Sequence, residues 1–372
     1  MMLNNLKNRF SRVPILLMLM GLLVGPAVCV FLDTASARAA DIPEWVQNFK
    51  LNGDLRLRYQ GEDDNTDGDK HQRYRIRFRP GVTANITDQW SVGFGLATGG
   101  ADLRSTNQTL SEFSTYDIRL DYAYAVYSPC DHVDIKAGKI KTPFWRAKDL
   151  LWDSDNRPDG VAANFTFKSS DNLDWFVTPA LFVLGEYREA IEDDNFEMMQ
   201  LIQGGFNAKF DEASYLKLAA ALYMFNDIEP GSFAESAGTN TEVIESAYTL
   251  DAEFGYTGAP IFIGAFGQYV ASDADTEETG YLLGIKFGDK SVKSFGQWQM
   301  KYNYRSLGAN AFQDFLMDSD AMGGSTGIQG SEIEALVGLA KNVTFGIDYY
   351  MMEDKLSKEE FDLIQIDLVL KF

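Results

Sequence analysis

Beyond residue 45 the chain alternates. Apolar side chains recur at every second position in short runs, which is the period of a strand with two unlike faces and not that of a helix. Leu55, Leu57 and Tyr59 alternate with Asp54, Arg56 and Arg58, and Tyr74, Ile76 and Phe78 alternate with Arg73, Arg75, Arg77 and Arg79. Trp90, Val92, Phe94 and Leu96 form the next apolar face, followed by Ile118, Leu120, Tyr122, Tyr124 and Val126. Further segments lie near 133–135, 161–167, 175–183, 199–210, 214–225, 247–256, 261–270, 280–288, 297–305, 331–340, 343–352 and 361–372, giving sixteen predicted strands.

The connections alternate as well. After even-numbered strands they are mostly short, as at Thr87-Asp88, Asp211-Glu212-Ala213 and Lys341-Asn342, whereas after odd-numbered strands they are mostly long and polar. An even number of strands with short turns at one end and long loops at the other predicts an all-β fold, a transmembrane antiparallel barrel. A tilted spanning strand needs roughly 9–11 residues, which these segments supply. A soluble sandwich would instead turn the second face into a dry core. Here that face carries charge, at Asp251 and Glu253, at Glu332 and Glu334, and at Arg73 through Arg79. In lipid the sheet has to close so that no edge is left unpaired.

The first residues place the chain. Lys7, Arg9 and Arg12 precede an apolar run from Ile15 to Leu23, and Ala37-Arg38-Ala39 offers small residues for cleavage. This layout predicts a cleaved signal peptide over 1–39 and a barrel domain over 40–372. Composition then narrows the chemistry. The formal net charge of −21 excludes a nucleic-acid partner, which would need a basic face. The chain has only two Cys and two His, so no disulfide framework, Cys-rich metal site or cofactor is expected. His71 and His132 fall at opposite barrel ends, and no nucleophile and base are brought together, so catalysis is not expected. Asp63-Asp64-Asn65-Thr66-Asp67-Gly68 opens like a calcium loop, but Tyr74 stands where the closing Glu is due. The acidity itself is local. Loops near 61–71, 185–198, 226–246, 271–280 and 353–360 hold 24 acidic and four basic residues, so the barrel wall is nearly neutral.

Two constellations stand out. Arg56 and Arg58 beside Arg73, Arg75, Arg77 and Arg79 make a ladder on the face opposite the apolar one. Its tallest column spans roughly 20 Å at about 3.4 Å per residue. Arginine on the lipid face would cost roughly 2–4 kcal/mol near the midplane, so the ladder is expected to line the lumen, with Arg119 and Lys136. Guanidinium groups there would attract anions, unless carboxylates such as Asp54, Asp348 and Asp367 neutralise them. The loop over 139–160 is less hydrophilic than the others, with Phe144, Trp145, Leu150, Leu151 and Trp152. It is expected to fold inward as a constriction carrying Lys141, Arg146, Asp149, Asp153, Asp155, Arg157 and Asp159.

The last strand alternates Ile364, Ile366, Leu368 and Leu370 with Gln365, Asp367, Val369 and Lys371, and stops on Phe372. It resembles the terminal strand of bacterial outer-membrane barrels, which implies that Phe372 is an assembly signal. Thr98-Gly99, Ser105-Thr106-Asn107-Gln108-Thr109, Gly138-Lys139, Pro143-Phe144, Trp152-Asp153-Ser154-Asp155 and Pro158-Asp159-Gly160-Val161 resemble the N-terminal half of the putative porin family of proteobacteria. The resemblance covers roughly residues 50–166. It implies an outer-membrane channel passing small hydrophilic solutes and ions by diffusion. The partners expected are outer-membrane lipid and lipopolysaccharide, and the strand number suggests a homotrimer. The phosphate-selective porins are a more distant resemblance, for the acidic loops offer no anion funnel. The competing expectation is a plugged barrel that acts as a structural or adhesion protein through its acidic loops.

Overall fold

The computed structural model describes residues 48–63, 70–185, 197–226 and 228–372; the predicted signal peptide and most of the calcium-like loop lie outside them. Seventeen strands follow in order: β1 (Phe49–Asp63), β2 (Lys70–Asn85), β3 (Trp90–Thr98), β4 (Gln108–Thr109), β5 (Ile118–Cys130), β6 (Val133–Lys139), β7 (Asp159–Ser170), β8 (Leu173–Val183), β9 (Met198–Lys209), β10 (Ser214–Asn226), β11 (Ser246–Tyr256), β12 (Phe262–Ser272), β13 (Thr279–Gly288), β14 (Trp298–Leu307), β15 (Ile328–Ala340), β16 (Val343–Asp354) and β17 (Glu360–Lys371). Sixteen are long and pair antiparallel with their neighbours. β1 pairs with β2 on one side and with β17 on the other, so the sheet closes on itself. The two-residue β4 is a loop segment laid against Arg75 and Ile76 of β2, where the short β3 no longer reaches.

Alternation separates the two faces sharply. Leu283 is 63% exposed while its neighbour Leu282 is 0% exposed. Outward positions form an exposed apolar band, including Phe78, Phe94, Leu120, Leu222, Leu250 and Ile347, the surface a bilayer requires. One stretch departs from the predicted pattern. Leu96 pairs with Leu120 but Gly95 pairs with Tyr122, so β5 bulges at Asp121. The extra residue shifts the following side chains to the other face. Ile118 and Leu120 point outward, whereas Tyr122 lies buried beside the ring-sized space left by Gly81 and Gly95.

The interior is not an empty tube. Loops 140–158, 228–245 and 308–327 enter it from the long-loop end. There Ile140, Leu150, Trp152, Ile244, Phe312 and Leu316 pack with Phe182, Val270, Leu282 and Tyr350 of the wall into one apolar cluster. Loop 308–327 contains two short 3-10 turns, at Asp314–Leu316 and Met322–Gly324.

Candidate pore constriction

All six ladder arginines face inward, and nearly every one has a carboxylate partner. Arg77 Nε donates to Asp54 Oδ1 at 2.9 Å, and Arg79 donates to the other Asp54 oxygen at 2.7 Å. Arg58 forms a two-pronged pair with Asp367 at 2.7 and 2.8 Å. Arg56 lies 3.7 Å from Asp367 and donates to Asn107 Oδ1 at 2.6 Å. Arg73 pairs with Glu62. Arg75 is the exception among the described residues, donating to the neutral Gln60 Oε1 at 3.0 Å and Ser105 Oγ at 3.3 Å. Asp54 and Asp367 thus sit where neutralising groups were expected. Asp348 stands further along the same wall, beside Glu332 and Glu334, and its charge reaches Arg58 without a direct contact.

Loop 140–158 threads across the lumen and is pinned at each step by an inward side chain. Gln203 of β9 holds the Trp145 backbone through both amide atoms at 2.8 and 2.7 Å. Asp251 accepts from Ala147 N at 2.9 Å and Gln268 accepts from Leu150 N at 3.1 Å. Lys148 Nζ reaches Glu332 at 2.7 Å, and Asp149 lies 3.6 Å from Arg305. The returning limb meets the ladder, where Asp155 takes Arg79 at 2.8 Å and the Thr106 hydroxyl at 2.8 Å. Asp153 accepts from Ser319 N at 3.0 Å and Ser319 Oγ at 2.8 Å, which ties this loop to loop 308–327.

The remaining expected residues are placed differently. Arg146 turns back onto the Trp152 carbonyl of its own loop. Arg157 lies 3.4 Å from Asp121, and the Lys141 ammonium lies 4.1 Å from the Tyr122 ring centroid. Asp159 belongs to β7 and pairs at 3.1 Å with Lys139 at the foot of the loop, outside the constriction. Arg119 faces inward but donates to the carbonyls of Gly100, Asp102 and Ser105, which anchors loop 99–117. Lys136 lies opposite Ala162 on the lumen face of β6. Phe372 closes the sheet, its N–H and C=O exchanging hydrogen bonds with Gly53.

Several residues of the site come from loop 308–327 and the wall behind it, and were not singled out from sequence. Arg305, 1% exposed, is held by Asp318 at 2.9 Å and by Glu332. Asp320 lies 3.7 Å from Arg58 and accepts from Gln365 at 2.7 Å. Between the loops and the ladder some space remains. A cavity of about 50 Å³ is bounded by Arg56, Arg77, Asp153, Asp155 and Asp318. A second, of about 260 Å³, is bounded by Arg73, Arg75 and Glu62, and the two share Arg104, Ser319 and Asp320. Arginines therefore stand on one side of the opening and loop aspartates on the other. The carboxylates are not equivalent. Burial would raise Asp155, but Arg79, Arg77 and Arg56 hold it well below the usual carboxylate range. Burial and then the adjacent Asp155 carboxylate push Asp153 up to about 7.

A closed sixteen-strand barrel with inward loops and a charged eyelet can now be set against known proteins. A family model described as putative porin matches residues 63–261 and, overlapping it, 231–372. The chain belongs to the putative porin family. No curated protein sequence matches it. Among solved structures it is similar to a Rhodopseudomonas blastica porin variant, with a TM-score of 0.53 at 12% identity, covering 87% of this chain and 100% of that one. It is also similar to Pseudomonas putida OprB, with a TM-score of 0.58 at 10% identity over 88% and 95% of the two chains. An outer-membrane protein of Vibrio cholerae, OmpT lacking loop L8, gives 0.51 at 11% identity over 87% and 99%. At these identities the likeness establishes the barrel, and the family match carries the reading of an outer-membrane porin.

Proposed function

We propose that this porin passes small hydrophilic solutes and ions by passive diffusion, along a narrow water path beside the β1–β2 wall. The observation that carries the reading is the pair of adjoining cavities with the arginine ladder on one side and Asp153, Asp155, Asp318 and Asp320 on the other. A pathway lined by both signs favours polar solutes over apolar ones. Because most ladder guanidiniums are already paired, the anion preference it supports is modest. Secretion by the 1–39 signal, assembly as a homotrimer and contact of the acidic loops with lipopolysaccharide belong to the same proposal.

A second reading has its own support. Phe312, Phe315, Leu316 and Met317 are buried in the barrel mouth, each worth roughly 1.5–3 kcal/mol when fully removed from water. Loops so held could plug the barrel and leave a structural or adhesion role. Single-channel recording in planar bilayers decides between them. Discrete open steps with a small conductance are the expected outcome, and a silent bilayer containing folded protein would sink the channel reading.

A further inference from the structure

The turn end of the lumen is built differently from the loop end. A chamber of about 730 Å³ opens there, lined by Asn207, Lys209, Tyr215, Lys217, Glu253 and Lys290 among others. Lys217 lies on the lumen face of β10, in step with the buried Ala219, Ala221 and Tyr223. Its ammonium is 4.4 Å from the Trp145 ring centroid, under the constriction loop, and 5.3 Å from that of Phe176. The Lys290 ammonium is 4.4 Å from the Tyr215 ring centroid. Among the described residues Lys209, Lys217 and Lys290 make no ion pair. The chamber's carboxylates make no close ion pair with these three lysines. Glu253 accepts from the Tyr215 hydroxyl at 2.6 Å and from Lys286 at 2.9 Å. Asp211 caps its own turn, accepting from Ala213 N, Ser214 N and the Ser214 hydroxyl. Glu212 lines the rim as an exposed tip residue.

An ammonium set against aromatic faces is partly desolvated and gains only a fraction of what a carboxylate would return. Two such groups, Lys217 and Lys290, stand in one cavity, and with Lys286 offsetting Glu253 they present positive points that an entering anion can meet. The Tyr215 ring in the lining favours a solute with an apolar ring. We propose that this chamber is a binding station for small ring-bearing carboxylates. Lys217 and Lys290 take the carboxylate, and the ring lies against Tyr215. The station deepens the channel reading and rests on it for its role in transport, but binding itself needs no flow.

The test uses the full barrel in detergent micelles, sodium benzoate as probe and titration calorimetry as readout. Saturable benzoate binding is expected, at least about tenfold weaker in the Lys217→Gln/Lys290→Gln double variant. Lys168→Gln, at the exposed end of β7 and outside the chamber lining, should bind as the parent does. Acetate and benzyl alcohol, which carry the charge and the ring separately, should each bind at least about tenfold more weakly than benzoate. The station is overturned by any of three results: benzoate that never saturates, a double variant with parental β-sheet circular dichroism and parental affinity, or acetate that matches benzoate. Bilayer recordings on the same sample keep the two proposals apart. Current without benzoate binding removes the station alone, whereas benzoate binding without current removes the channel and leaves the station standing.

Discussion

On the wall formed by β1 and β2, six arginines stand in two adjacent columns, and five of them lie within 3.7 Å of a carboxylate. On the wall around the β9–β10 turn, three lysines share one chamber with Asp211, Glu212 and Glu253 but make no close ion pair among the described residues. Both walls are rich in cations, yet they do different things with them. The planar guanidinium fork suits fixed two-pronged pairing, and its charge is then cancelled nearby. The ammonium on its flexible stem keeps its charge available. A solute therefore meets a wall whose cations are locked into close pairs at the loop end, and one whose lysines are free of such pairs at the turn end.

If pairing makes an arginine structural, the most completely paired one should matter most. Arg305 sits between Asp318, Glu332 and Asp149, with its guanidinium carbon 5.5 Å from the Tyr350 ring centroid. Arg305→Ala leaves Asp318 without its cation and Glu332 and Asp149 with Lys148 alone in a buried site, a loss of about 3–5 kcal/mol. Urea unfolding should show it as a lowered midpoint with an unchanged slope, and a variant as stable as the parent would break the link between pairing and structure. The ladder offers the same contrast on a smaller scale. Arg77→Ala strips a partner from Asp54 and should cost stability, about 1–3 kcal/mol, with little change in ion selectivity. Arg75→Ala removes the guanidinium with no carboxylate partner, so the reversal potential in a salt gradient should move toward cation preference while stability hardly changes. Identical behaviour of the two variants would show that partners do not decide which arginine sets the field.

How much of this was legible differs by feature. The strands were, because two-residue alternation is written in each segment separately and needs no knowledge of neighbours. The bulge at Asp121 was not. One unpaired residue leaves the run from Ile118 to Val126 looking continuous, and only pairing with Gly95 and Leu96 reveals the switch of face. The aromatic content of loop 139–160 marked it as a loop that packs on something. Loop 308–327 carries the same mark in Ala311, Phe312, Phe315, Leu316 and Met317, but its docking depends on partners distant in sequence. Asp153 meets Ser319, and Asp314 accepts from Ser236 at 2.7 Å. The pairing of Arg305 was hidden for the same reason. Charge at 305, 318 and 332 is visible in the sequence, but its convergence comes from the loop folding inward.

The finest difference lies between two neighbouring aspartates on one loop. Asp155 faces the arginines and stays ionised, whereas Asp153 faces Ser319 and is pushed up to about 7 from an ordinary 3.8. A carboxyl raised on folding favours the folded state while protonated. Its stabilising effect is complete below about pH 4, declines as the pH climbs toward 7 and is gone above that. Asp153→Asn carries no charge at any pH and can still accept from Ser319 through its amide oxygen. At pH 8, where the parent must keep an ion buried, the variant should melt a few degrees higher; at pH 4, where both groups are neutral, the two should coincide. Melting curves at the two pH values check this. If the variant is equally destabilised at both, Asp153 contributes through its hydrogen bonds alone, and the two aspartates differ in position but not in charge.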